Sequence, residues 1–110
     1  MLEKFLDRTE FDSYEDFKAN YRVRCPEDFN FATHVVDAWA EEEPAKRALE
    51  WCDDHGNSLA LTFAEVSLLS RRAASWLREQ GVRRGDRVMC LLKRRWEYWI
   101  TAVALHRIGA

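Results

Sequence analysis

The sequence predicts an α/β protein whose β-sheet is incomplete. Apolar residues recur at helical spacing in four segments, and two short apolar runs flank a stretch of turn-forming residues. A third apolar run, residues 88–92, has no alternation of polar and apolar positions, as expected for a strand buried on both faces of a parallel sheet. A parallel strand needs a partner, and the 110 residues provide none. We therefore expect helices, a hairpin and one buried strand of an unfinished sheet.

Two short helices are predicted in the first half of the chain. Ser13 can accept a backbone N–H from the first turn of one helix, and Pro26 ends that region. Asn30 can cap the second helix, which an acidic run before Pro44 closes. That acidic run, residues 41–43, is expected to be solvated. The apolar sides of the two helices are Tyr14, Phe17 and Tyr21 in the first, and Phe31, Val35, Ala38 and Trp39 in the second.

A β-hairpin and a long helix are predicted next. Two apolar runs, residues 48–51 and 59–61, flank the turn-forming residues 53–57. Thr62 and Glu65 have the spacing of a capping box, and they predict the start of the long helix. Gly81 predicts the end of this helix, because glycine readily adopts the left-handed backbone conformation of a helix C-cap. The buried stripe predicted for this helix is Val66, Leu69, Ala73 and Leu77.

The last predicted helix, residues 96–108, follows the apolar run 88–92 and a basic break. One face carries large apolar residues, and the opposite side is apolar as well, which is typical of a buried helix. Gly109 would end it and lead to another strand. The apolar positions are Trp96, Trp99, Ile100 and Val103 on one face, with Tyr98, Ala102, Leu105 and Ile108 on the other.

The composition excludes several classes of protein. Hydrophobic residues make up 47% of the chain, too many for intrinsic disorder, and the net charge of −2 gives no basic footprint for nucleic acid. No apolar run approaches the roughly 20 residues of a membrane-spanning helix. The mixed charges of residues 1–12 fit neither a secretory signal nor a mitochondrial presequence, so we expect a cytoplasmic protein. Its three cysteines are then expected to be free thiols: Cys25, Cys52 and Cys90.

No residue is predicted to be catalytic, to bind a cofactor or to hold a metal. The glycine turn 81–86 runs from a helix into a strand, whereas phosphate loops run from a strand into a helix. Basic residues at both ends of the run 88–92 need not share a face. Asp53 and Asp54 fall short of a calcium loop. His34 and His106 have no carboxylate at a triad-like spacing, and we expect packing or surface roles for all three isolated histidines: His34, His55 and His106.

An ordered set of short segments resembles the start of AMP-forming acyl-CoA synthetases, members of the adenylate-forming superfamily. No single segment is specific to this family. The shared order and spacing of the segments over residues 14–110 are specific to it. The Phe-Asn-Phe-Ala and Leu-Glu-Trp segments in particular are similar to the medium-chain and acetate-type branch. The matching segments are Phe-Asn-Phe-Ala at 29–32, Val-Asp-Ala-Trp at 36–39, Ala-Leu-Glu-Trp at 48–51, Leu-Thr-Phe-Ala-Glu-Val at 61–66, residues 73–77, Gly-Val-x-x-Gly-Asp-Arg-Val at 81–88 and Arg-Ile-Gly-Ala at 107–110.

The resemblance implies an enzyme that joins a carboxylic acid to ATP, releases pyrophosphate, and passes the acyl group to coenzyme A. It implies ATP, Mg²⁺ and coenzyme A as ligands of the whole enzyme, with Mg²⁺ neutralising phosphate oxygens. It also implies that the family's phosphate loop, magnesium motif, ribose-binding aspartate and late lysine lie beyond Ala110. The 110 residues alone are therefore expected to bind no cofactor and to be inactive.

The resemblance divides the chain into two parts. Residues 1–28 are expected to form an N-terminal arm with a short helix, and residues 29–110 the truncated start of the AMP-binding N-terminal domain. The expected partner is the remainder of the synthetase chain. Two alternatives stay open: a stand-alone interaction module, and a piece of another adenylate-forming ligase such as an aryl-CoA ligase or a peptide-synthetase adenylation domain.

Overall fold

The computed structural model describes residues 2–110, and this range contains four α-helices and a two-stranded antiparallel hairpin. None of the helices in the described range has both the length and the apolar character to cross a membrane. The elements are a 3₁₀ turn Leu2–Lys4, α1 Tyr14–Asn20, a π-helix Ala32–Asp37 that continues into α2 Ala38–Glu42, β1 Arg47–Cys52, β2 Ser58–Thr62, α3 Phe63–Glu79 and α4 Glu97–Ile108.

The predicted first helix is confirmed as α1, and its cap is the predicted one. The Ser13 hydroxyl accepts a hydrogen bond from the backbone N–H of Asp16 at 3.1 Å. No residue of α1 is buried. Its apolar side packs locally instead. The rings of Phe11 and Phe17 meet edge-on with their centroids 5.2 Å apart, and the ring centroids of Phe17 and Tyr21 are 4.8 Å apart. The arm thus builds a small aromatic cluster of its own.

The second helix begins at the predicted cap but buries a different side. Asn30 Oδ1 accepts from the backbone N–H of Ala32 at 2.9 Å. The predicted stripe is wrong by one position: Ala32 and Val36 are buried, while Phe31 is 43% exposed. Residues 32–37 form a π-helix, in which hydrogen bonds span five residues rather than four, so the apolar spacing of an α-helix does not apply. The acidic residues after it are exposed, as predicted.

The predicted hairpin is confirmed. Leu49 stands opposite Leu61 and Trp51 opposite Leu59, with an irregularity in the register near the start of β1. Asp53 closes the loop, because its Oδ1 accepts from two backbone N–H groups, those of His55 at 2.9 Å and Asn57 at 2.8 Å. This is the behaviour that makes aspartate a turn former.

The capping box of α3 is also confirmed. Glu65 N–H donates to the Thr62 hydroxyl at 3.2 Å, and Thr62 N–H donates to Glu65 Oε2 at 2.8 Å. The residues predicted to line the buried stripe all pack against the core, although only Val66 among them is fully buried. The helix also buries small polar residues that the apolar pattern does not reveal: Ser67 and Ser70.

Helix α3 ends in a Schellman motif at the predicted glycine. Gly81 has a φ of +99°, and its N–H donates to the carbonyl of Arg78 at 3.0 Å. The N–H of Val82 reaches the carbonyl of Leu77 at 3.0 Å, and both side chains pack against the same apolar cluster. The motif satisfies carbonyls that would otherwise lack partners.

Substitution of Gly81 tests this interpretation of the glycine. We expect Gly81→Val to lower the free energy of unfolding by roughly 1 kcal/mol or more, because a β-branched residue is strained at positive φ. Gly81→Asn, which tolerates this conformation better, should cost less. Urea unfolding measures both. In a longer enzyme that carries this segment, the Michaelis constant for ATP should barely move, and a selective rise without loss of stability would favour a phosphate-binding role.

The core lies where α3 and α4 pack on the π-helix and the hairpin. Helix α4 buries one side only, so the prediction of burial on nearly every side is wrong: Trp99 is 56% exposed. A helix that is apolar all round needs cover all round, and the described residues cover only its inner side. The buried apolar residues are Ala32, Val36, Leu61, Val66, Ala74, Ile100, Val103, Ala104, Leu105 and Ile108.

The predicted buried strand at residues 88–92 is wrong. These residues adopt no regular secondary structure, and Met89 and Leu91 are 84% and 87% exposed. The sheet in the described part of the chain consists of β1 and β2 alone. A strand is held by ladder hydrogen bonds to a neighbour, and an apolar run without a neighbour has nothing to pair with.

Candidate functional site

The histidines occupy packing and loop positions. The Nδ1 atom of His34 accepts from the backbone N–H of Asn30 at 3.1 Å, and its ring stacks on Phe29 at 5.5 Å. The ring of His106 meets Phe31 edge-on at 5.7 Å. His55 lies in the hairpin loop. The structure therefore brings no two of these three residues together as a site.

The glycine turn between α3 and the apolar run uses its amides inside the fold. Gly85 N–H donates to the carbonyl of Gly109 at 2.8 Å, and Arg83 N–H donates to Asp86 Oδ2 at 2.7 Å. A phosphate loop needs several free amides that point at one anion. The interpretation of Gly81 and Gly85 as a helix cap and a turn is confirmed.

The basic residues on either side of the apolar run have different neighbours. The guanidinium of Arg83 donates to the carbonyls of Arg78 and Val82. Arg95 forms two hydrogen bonds with Glu97, at 2.7 and 3.2 Å. Such local pairs hold the arginines on their own elements, and no continuous cationic surface follows from them.

The two acids of the hairpin loop do not form a cation site. Asn57 donates its side-chain amide to Asp53, and this hydrogen bond is the main cause that lowers the pKa of Asp53. The carboxylate is thus occupied with closing the turn. Within residues 2–110 there is no group of three or more histidine, cysteine, aspartate or glutamate side chains that could hold a metal ion.

A buried ion pair joins three elements, and the sequence reasoning did not predict it. Arg107 on α4 donates two hydrogen bonds to the carboxylate of Asp37, at 2.7 Å to Oδ2 and 2.5 Å to Oδ1. Its Nε donates to the hydroxyl of Ser70 at 3.0 Å. Ser67 donates to Asp37 at 2.6 Å. The side chains of Asp37 and Arg107 are only 12% and 10% exposed.

A second arginine reaches the same carboxylate from solvent. The guanidinium of Arg71 lies 3.1 Å from Asp37 Oδ2, but its side chain is 60% exposed. Asp37 thus connects the end of the π-helix to α3 and α4. A signal for this contact is present in the sequence: Asp37 and Arg107 are opposite charges placed within apolar stretches, and both lie in segments that carry the family resemblance.

The environment of Asp37 keeps it ionised. Burial raises the pKa of Asp37, but hydrogen bonds from Arg107 and Ser67 and the charges of Arg107 and Arg71 outweigh burial, so the pKa lies below its ordinary value of 3.8. A buried carboxylate that is paired and hydrogen-bonded positions helices well. It is a poor general base, because its proton affinity is low at neutral pH.

The low pKa of Asp37 predicts how stability depends on pH. When the pKa of a carboxyl is lower in the folded state than in the unfolded state, its ionisation stabilises the folded state. This stabilisation is fully present at pH values above the unfolded pKa, and it is lost as the pH falls through the folded pKa. We expect the free energy of unfolding to fall below about pH 4, and Asp37→Asn to flatten this fall while lowering stability at pH 7. Asp54→Asn, at an exposed carboxylate in the hairpin loop, is the matched control. Urea unfolding at several pH values measures the slopes, and equal slopes for Asp37→Asn and the unsubstituted chain would contradict the prediction.

The other notable surface is apolar. The exposed run 88–92 lies beside α4 and the last residue, because Val88, Cys90, Tyr98 and Ala110 line one groove of about 270 Å³. A neighbouring groove of about 370 Å³ contains Trp51. Exposed apolar patches mark surfaces that bind protein or ligand.

Comparison with known proteins defines the class. The sequence model of the AMP-binding enzymes matches residues 36–110. The chain therefore belongs to the AMP-binding enzyme family, and the resemblance seen in the sequence is confirmed.

Among the similar proteins are mitochondrial acyl-coenzyme A synthetases. The chain is 40% identical over 105 residues to acyl-coenzyme A synthetase ACSM3, mitochondrial, of Mus musculus, a match that covers 90% of this chain. It is 37% identical over 105 residues to the Homo sapiens protein of the same name. It is 39% identical over 102 residues to acyl-coenzyme A synthetase ACSM4, mitochondrial, of Homo sapiens, covering 86% of this chain. The chain spans only 18% of the length of each of these relatives.

Proposed function

We propose that these residues are the N-terminal part of an AMP-forming acyl-CoA synthetase. The observation that carries the proposal is the 40% identity to an acyl-coenzyme A synthetase over 105 residues. The whole enzyme would convert a carboxylic acid and ATP to an acyl-adenylate and pyrophosphate, and then transfer the acyl group to the thiol of coenzyme A. ATP, Mg²⁺ and coenzyme A would be its ligands, held by residues outside this segment.

Within that enzyme, the segment supplies support rather than catalytic residues. Its polar side chains are used in caps, turns and the Asp37–Arg107 pair, all of which stabilise the packing of helices on the hairpin. We propose a boundary between an arm, residues 1–28, and the start of the AMP-binding domain, residues 29–110. The absence of buried residues in α1 and the family match from residue 36 support this division. The partner of both parts is the remainder of the synthetase.

We also propose a cytoplasmic location. The relatives are named as mitochondrial, which describes those proteins. Microscopy of the longer protein with a C-terminal fluorescent tag separates the two locations.

The experiment for the proposed function is an exchange assay on a longer protein that begins with this segment. We expect exchange of pyrophosphate into ATP that depends on a fatty acid, and formation of the corresponding CoA thioester. Exchange with aromatic acids alone would indicate an aryl-CoA ligase. Exchange with an amino acid and no thioester of CoA would indicate a peptide-synthetase adenylation domain.

The 110-residue chain by itself should show no such exchange. The reason is that the loop for the ATP phosphates and the late lysine of the family are not part of these residues. Activity above that of a heat-inactivated sample, after contaminating synthetase has been removed, would contradict the proposal that the catalytic residues lie outside this segment.

A further inference from the structure

Three arginines near the end of α3 have no carboxylate partner among residues 2–110: Arg78, Arg83 and Arg84. The nearby carboxylate of Asp86 accepts from the backbone N–H of Arg83, at 2.7 Å, and not from its guanidinium. Charged side chains that lack a partner in the chain are available to an anion from outside it. The arginines that do pair with aspartate or glutamate are Arg8, Arg24, Arg47, Arg71, Arg95 and Arg107.

The three arginines line one pocket of about 520 Å³. Its apolar lining consists of Val82 and Ile108, which belong to one apolar cluster. Ser75 adds a hydroxyl that can donate to an anion. Glu79 also lines the pocket but pairs with none of the three arginines, so positive charges outnumber the negative one. The pocket therefore combines a cationic lining with an apolar patch.

Contacts within the fold hold two of the arginines in place. The Nη1 atom of Arg83 donates to the carbonyls of Arg78 and Val82, at 2.7 and 3.1 Å, which leaves its Nε and Nη2 donors for a ligand. The stem of Arg84 lies against Gly109, since a Cβ atom there would come within 3.1 Å of Arg84 Cγ. Side chains that are already held lose less conformational freedom when a ligand binds.

The end of α3 does not prevent an anion from binding beside it. A helix C-terminus carries about half a unit of negative charge on its free carbonyls. Here the carbonyls of Leu77 and Arg78 accept from the N–H groups of Val82 and Gly81, each at 3.0 Å. The guanidinium of Arg83 adds a full positive charge at the carbonyl of Arg78. The positive charge therefore outweighs that of the helix end.

We propose that this pocket binds the diphosphate group of a small molecule. Guanidinium groups form paired hydrogen bonds with phosphate oxygens, and three of them suit a diphosphate better than the smaller charge of one phosphate. The apolar patch leaves a place for an organic group. Free pyrophosphate and a nucleoside diphosphate share this chemistry. The site uses side chains instead of the free backbone amides of a phosphate loop, and it is independent of the proposed synthetase activity.

Equilibrium dialysis of the 110-residue chain against radiolabelled inorganic pyrophosphate at low salt tests the proposal, because it counts bound ligand in any oligomeric state. We expect one saturable site per chain with a Kd in the millimolar range or below. Arg78→Gln and Arg84→Gln should each raise the Kd by roughly tenfold. The Arg78 side chain makes no hydrogen bond within residues 2–110, so its replacement should leave the circular dichroism unchanged. Arg72→Gln, at an exposed arginine of the same helix outside the pocket, is the matched control and should change the Kd little.

Competition with unlabelled compounds identifies the chemistry of the ligand. Displacement by ADP at lower concentration than by pyrophosphate supports a nucleoside diphosphate, and the reverse order supports free pyrophosphate. Absence of saturable binding overturns the proposal. Equal weakening by Arg72→Gln shows general attraction to a charged helix, and displacement by inorganic phosphate as readily as by pyrophosphate excludes a diphosphate site. Since no readout depends on activity, failure of this binding leaves the proposed function standing, and the converse also holds.

Discussion

Replacement of Arg107 by methionine is expected to lower the free energy of unfolding by about 3–5 kcal/mol, because it leaves the carboxylate of Asp37 buried without its main partner. Methionine keeps much of the volume and cannot donate a hydrogen bond. The Ser70 hydroxyl also loses a donor. Since small domains are stable by about 5–15 kcal/mol, this loss is a large fraction of the total stability. Far-UV circular dichroism against urea measures the loss.

The matched control is Arg71→Met, which removes the solvent-exposed partner of the same carboxylate. Exposed ion pairs contribute about 0–1 kcal/mol, so this substitution should change the urea midpoint little. The double substitution of Asp37→Asn with Arg107→Met should recover part of the loss, because no buried charge then remains. Equal losses for Arg71→Met and Arg107→Met would show that burial does not govern this pair.

The second large effect concerns the behaviour of the 110-residue chain in solution. We expect it to bind a hydrophobic dye strongly and to self-associate, because Met89, Leu91 and Trp99 are exposed together with the unpaired backbone of residues 88–92. Each large side chain left uncovered forgoes about 1.5–3 kcal/mol of burial. Met89→Lys combined with Leu91→Lys should remove most of the dye signal and shift sedimentation toward the monomer.

Leu68→Lys on the outer face of α3 is the matched control for that pair. Leu68 is half exposed but stands apart from the apolar run in sequence, so its substitution should leave both dye binding and sedimentation nearly unchanged. A compact monomer with strong amide protection through residues 88–108 would contradict the prediction. It would favour the stand-alone interaction module instead.

The features that the sequence predicts well are those whose partners lie within a few residues. The caps at Ser13, Asn30 and Thr62 and the hairpin loop closed by Asp53 all follow from hydrogen bonds over two to four positions. The C-terminal glycine of α3 is predicted for the same reason. Local chemistry decides such features, so the rest of the fold need not be known.

Features that depend on distant residues were predicted wrongly or not at all. The predicted strand at 88–92 is not formed, because a strand requires a neighbour and no local pattern supplies one. The pairing of Asp37 with Arg107 spans 70 positions, and neither residue shows its partner in the sequence around it. The family resemblance was found without these contacts, because it depends on the order of short segments. The candidate site is limited in the same way: sequence reasoning could place the histidines and glycines on their elements but not the buried ion pair.

The π-helix at Ala32–Asp37 has a consequence for the length of this stretch as well as for its shape. A π turn accommodates about one residue more than an α turn, so it behaves as an insertion inside a helix. Deleting one residue there would restore a regular α-helix and leave the residues on its two sides facing nearly as before, because the π turn absorbs the extra residue within one turn. Asp37 would then still reach Arg107, and Asn30 would still lie beside α4. A relative without the extra residue would therefore keep both the cap and the ion pair, and would differ in this stretch by one residue of length.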